Sequence, residues 1–130
     1  MPLLNDTSAP FGERTLAAIM FTDVVNFSAL VGEKEDRTLA AVQRDFKLMS
    51  ALIAQSNGNV LKTMGDGMLS QFASAVNAVA CAQEIQLAIA EAAQARAQGV
   101  NLLHRIGIHL GDVFVTDRDI VGNGVNIAAR

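Results

Sequence analysis

The chain has 130 residues, 51% of them hydrophobic, and a formal net charge of −3, which suits one domain with a packed core and excludes a disordered tail or a two-domain protein. Lys and Arg are spread along the chain without a basic block, so there is no electrostatic case for nucleic acid, and a polyphosphate ligand would need metal ions to offset its charge. A single cysteine, Cys81, excludes a disulfide framework, no apolar run approaches the roughly 20 residues that cross a membrane, and MPLLNDTSAP lacks a basic-then-apolar leader; the expected setting is reduced and cytoplasmic.

Residues 1–14 are polar and punctuated by Pro and Gly, and read as a flexible lead-in. TLAAIMF (15–21) reads as a first, buried strand. It runs into Asp23, a residue type almost never fully buried unless something pairs with it. From Glu33 to Gln55, apolar residues recur at Leu39, Val42, Phe46, Met49 and Leu52 or Ile53, the spacing of an amphipathic helix. Asn57 and Gly58 stop that helix, with Gly as the expected left-handed residue.

NVLKTM (59–64) and MLSQF (68–72) read as second and third strands, joined by the turn MGDG so tightly that they form a hairpin. A second helix is expected from Ser74, as N-cap, to Gln98, with Gly99 ending it. NLLHRIGIHL (101–110) is read as strand four, GDVFVT (111–116) as strand five, and VNIAAR (125–130) as the start of a further helix. Strand, helix, hairpin, helix, strand is the order of an α+β, ferredoxin-like βαββαβ sandwich, an antiparallel sheet with helices on one face. The sequence stops at Arg130 inside a helix just begun, so the last strands of the domain are expected to be missing.

In such a sandwich the first strand and the hairpin can be sheet neighbours, which would bring Asp23 and Asp66 to one edge. Two carboxylates with room for water and substrate oxygens suit Mg²⁺ or Mn²⁺, hard ions that keep part of their water shell and take further ligands from phosphates. Spacing alone leaves the plainer readings open: Asp at a strand end is often a helix cap, and Asp-Gly is among the commonest turn sequences. The strand-to-helix junction at Val25, Asn26 and Phe27 adds backbone N–H groups of the kind that hold phosphate oxygens. Metals and amides together could therefore carry a polyphosphate without a cluster of Lys.

Three segments, FTDVVNFSALVGEKE, LKTMGDGMLSQF and HRIGIHLGDVFVTDRDIVGNGVNIAAR, stand in this order from residue 21 to residue 130. In this order and at these separations they resemble the catalytic domain of class III adenylate and guanylate cyclases, over residues 15–130. The resemblance implies a head-to-tail homodimer whose active sites are built from both chains. It implies that Asp23, Asp66 and the backbone carbonyl of Val24 hold two Mg²⁺ or Mn²⁺ ions, that Lys62 and Asp119 select the base, and that Asn126 and Arg130 act on the transition state. These last four would serve nucleotide held by the other copy. Asn26 stands where the family usually has Gly; Asn tolerates positive φ better than most residues, so the turn is expected to survive.

The base-selecting pair can be checked by hydrogen-bond logic. Adenine offers an acceptor at N1 and a donor at N6; Lys62 only donates, and ionised Asp119 only accepts. Guanine reverses both, at a cost of about 1–3 kcal/mol per unsatisfied buried group, so ATP is favoured over GTP. The implied reaction is conversion of ATP to 3′,5′-cyclic AMP and pyrophosphate. The alternative is a nucleotide-binding regulatory module that pairs with another cyclase chain and catalyses nothing. His104 and Arg105 are expected to be solvated at the start of strand four.

Overall fold

The computed structural model describes residues 13–115 and 120–121. Strand β1 spans Glu13–Val24, helix α1 Phe27–Gln55, strands β2 and β3 Gly58–Met64 and Gly67–Phe72, helix α2 Ala75–Ala95, strand β4 His104–Val115 and strand β5 Ile120–Val121. They build one sheet in the order β2-β3-β1-β4-β5, with each neighbouring pair antiparallel. The expected α+β βαββαβ sandwich is thus present, with β1 central and the hairpin beside it.

The middle of β1, residues 16–21, is wholly apolar; Ala17, Ala18, Ile19 and Met20 are buried because both faces are covered there, and alternate residues serve each side. Ala18, Met20 and Val24, with Met68 and Phe72 of β3, join one core cluster with Val42, Phe46, Met49 and Ile53 of α1 and Cys81, Ile85 and Ile89 of α2. Both helices therefore lie on the same face of the sheet. Ala17, Ile19 and Leu69 form a second, smaller cluster, with Phe21 and Leu61 against it. Cys81 is a buried core thiol, and its burial pushes its pKa up.

The helices differ from expectation in instructive ways. α1 begins at Phe27, and Lys34 (φ −143°, ψ 66°) breaks it into two pieces; the helix expected from Glu33 is the second piece. Its buried stripe is Thr38, Ala41, Val42, Asp45, Phe46, Met49 and Ile53, whereas Leu39 is exposed. The left-handed residue after α1 is Asn57 (φ 63°) rather than Gly58. Gly58 is needed for another reason: a Cβ there would come within 2.5 Å of the Phe72 ring. Ser74 caps α2 as expected, its side chain accepting a hydrogen bond from the Asn77 amide at 3.1 Å, but the helix ends at Ala95.

The expected fourth and fifth strands are one. β4 runs without interruption from His104 to Val115 and pairs with β1 along its whole length, from Val24↔His104 to Glu13↔Val115. Gly111-Asp112 has turn composition, yet here it lies opposite Ala17 and Leu16 in that ladder, where twelve residues of cross-strand pairing outweigh a local preference for a turn. The helix expected at VNIAAR lies outside the described residues.

Candidate active site

The site grows from the end of β1. β1 and β3 pair antiparallel with Thr22 opposite Met68, so the turn that precedes β3 sits beside the last residues of β1. Two glycines allow this turn. Gly65 is left-handed, with φ +59°, and at Gly67 a Cβ would lie 2.7 Å from the backbone oxygen of Thr22, so only glycine lets the hairpin close this tightly on β1. Between them, Asp66 accepts a hydrogen bond from the Val24 amide at 3.0 Å through Oδ2.

Asp23, on the neighbouring residue, faces Arg105 across the β1–β4 ladder. Arg105 donates to both of its oxygens, Nε to Oδ1 at 2.9 Å and Nη2 to Oδ2 at 3.3 Å. This contact and the charge of Asp23 raise the pKa of the guanidinium. Asp23, Val24, Asp66 and Arg105 line one open cleft of about 640 Å³, with Asn26 and Phe27 on its rim.

Asn26 adopts the left-handed conformation, φ 59° and ψ 35°, and stands at the N-terminus of α1 without a side-chain cap. This is the geometry expected of a glycine position filled by the residue that best tolerates it. The first turn of α1 leaves amides with no partner inside the helix. Val25 is different: its amide donates to the Leu103 carbonyl at 2.9 Å. Of the three junction amides expected to hold phosphate, Val25 is thus already engaged within the fold.

Lys62 lies on β2 in a row with Leu69 and Phe21, next to an irregularity in the β2–β3 ladder. It does not line the cleft of its own chain. Asp119, Asn126 and Arg130 lie outside the described residues. Arg105 is the site residue that sequence reasoning missed, and β-strand alternation carried a signal for it: once β4 is set beside β1, an Arg and an Asp face each other directly.

The donor set fits a hard divalent cation. Both carboxylates open into one cleft, Asp66 spends a single oxygen on an amide, and the nearby ligands are oxygens. No group of three His, Cys, Asp or Glu is assembled among the described residues.

Residues 12–130 match the model of the adenylate and guanylate cyclase catalytic domain. The chain belongs to this cyclase family. It is 41% identical over 118 residues to "Putative adenylate cyclase 3" of Rhizobium meliloti (strain 1021), and 33% identical over 114 residues to an adenylate cyclase of Streptomyces coelicolor. The matched segments are 90% and 87% of this chain, but they span only 20% and 28% of those relatives. A solved adenylate/guanylate cyclase/hydrolase from Silicibacter pomeroyi superposes with a TM-score of 0.79 at 39% identity, covering 91% of this chain and 69% of that one. No helix of the cyclase chain, among its described residues, is long and apolar enough to cross a membrane.

Proposed function

We propose that the chain is an adenylate cyclase domain that converts ATP to 3′,5′-cyclic AMP and pyrophosphate at sites shared between two copies. The observation that carries this reading is the convergence of Asp23 and Asp66, 43 residues apart in sequence, on one cleft beside a helix N-terminus. Asp23, Asp66 and the Val24 carbonyl would hold two Mg²⁺ or Mn²⁺ ions, which supply Lewis acidity to the ribose 3′-hydroxyl and to the phosphates. The amides of Asn26 and Phe27 hold phosphate oxygens, as helix N-termini do. Arg105 adds a positive charge to the same cleft.

The remaining roles fall to the second copy. Its Lys62 and Asp119 read the N1 and N6 edge of adenine, its Asn126 holds the ribose for attack, and its Arg130 meets charge growing on the α-phosphate. The position of Lys62 supports this division, since it stands off the cleft that its own Asp23 lines. In-line attack of the 3′-oxygen on the α-phosphorus forms the ring and releases pyrophosphate.

Cyclic AMP formed from Mn-ATP tests the reading, measured for this chain beside its Asp23→Ala variant. The enzyme reading expects production well above the variant. If the chain makes none above that control, the regulatory-module alternative takes its place.

A further inference from the structure

We infer that Arg105 is the resident counter-ion of Asp23, and that a divalent ion enters the cleft by exchange with its guanidinium. The inference rests on the reading of Asp23 and Asp66 as metal ligands. In the structure both oxygens of Asp23 are taken, by Nε at 2.9 Å and Nη2 at 3.3 Å. Those are the oxygens an ion would use. A guanidinium and a divalent cation repel each other at such range, so Asp23 binds one or the other.

The two carboxylates are prepared differently for that event. Asp66 is fixed by the Val24 amide through one oxygen and, among the described residues, meets no cation at hydrogen-bond distance. Asp23 is neutralised by Arg105. The pair is open to solvent, with side chains 69% exposed for Arg105 and 27% for Asp23, and exposed pairs of this kind separate at little cost. An ion meeting Asp66 first can therefore displace Arg105 without breaking the core. The backbone of Arg105 stays locked opposite Asp23 in the β1–β4 ladder, so the freed guanidinium remains beside the cleft where phosphates arrive.

The experiment is a Mn²⁺ titration of the whole chain without nucleotide, followed by the spin-resonance signal of free Mn²⁺, for wild type, Arg105→Gln and Asp23→Asn. Exchange predicts that Arg105→Gln binds Mn²⁺ about two- to fivefold tighter, the scale of an exposed ion pair released, while Asp23→Asn binds more weakly than wild type. If Asp23→Asn weakens binding and Arg105→Gln fails to tighten it, the exchange is overturned and the metal site stands. If Asp23→Asn binds Mn²⁺ as wild type does, the metal reading falls, and the exchange with it.

Discussion

His104 and Arg105 are neighbours on β4, and each meets a carboxylate, but on opposite faces of the sheet. His104 turns toward the helices. Its Nε2 lies 2.9 Å from Oδ2 of Asp45 on α1, and the two residues are 4% and 3% exposed. Arg44 holds the other oxygen of Asp45 at 2.9 Å, and Gln86 of α2 donates to the His104 carbonyl at 2.8 Å. Arg105 turns the other way, to Asp23 at the rim of the cleft. Burial separates their uses: the inner pair is locked into a network joining both helices to β4, while the outer pair can open and offer its carboxylate to something else.

Removing one partner from each pair should expose that difference most strongly. Asp45→Ala strands His104 in the core, where its Nδ1 already lacks a partner, and should lower unfolding stability by about 3–5 kcal/mol, the usual cost of breaking a buried pair. Arg105→Gln, on the exposed side, should leave the urea midpoint where it was. Equal losses from the two would erase the distinction.

Gly67→Ala probes the ground on which the outer pair stands. With a Cβ 2.7 Å from the Thr22 carbonyl, the hairpin must shift, and a cost of about 1–3 kcal/mol is expected from overpacking. The same shift should weaken Mn²⁺ binding, because Asp66 moves with the turn. Asn26→Ala should cost about 1 kcal/mol through its left-handed backbone, and Asn26→Gly should cost less, both read from chemical denaturation.

Acid sharpens the comparison further. Burial raises the pKa of Asp45, but the hydrogen bonds from His104 and Arg44 outweigh it and hold the carboxyl below its ordinary value. A depressed carboxylate contributes fully above its unfolded pKa of about 3.9 and loses that contribution as pH falls through the lower folded value. Stability measured from pH 6 downward should therefore hold through pH 5 and fall below about pH 4. In Asp45→Asn the drop should be smaller.

Much of this site was legible in the sequence because its parts lie where local patterns are strong. The apolar run before Asp23, the Gly-Asp-Gly turn and the strand order together allowed β1 and the hairpin to be neighbours, and Asn26 stood out because the family it resembles usually has Gly there. What one sequence hides is registration between distant strands. That Arg105 faces Asp23, and that His104 reaches Asp45, depends on which residues of β4 lie opposite β1, and Gly111-Asp112 suggested a turn where the ladder runs on. Leu39 shows the same limit in a helix: the three-or-four spacing admits it, but the break at Lys34 and the packing of α1 bury Thr38 and Ala41 instead.

The central claim is a site completed by a second copy, and mixing two disabled chains tests it directly. On the proposed roles, Asp23→Ala would lose a metal ligand and Arg130→Ala the transition-state residue, and each alone should make little cyclic AMP from Mn-ATP. In an equal mixture half of the dimers are mixed, and each of these has one intact site of two, so about a quarter of wild-type activity should return. A mixture no more active than its two components would contradict the shared site.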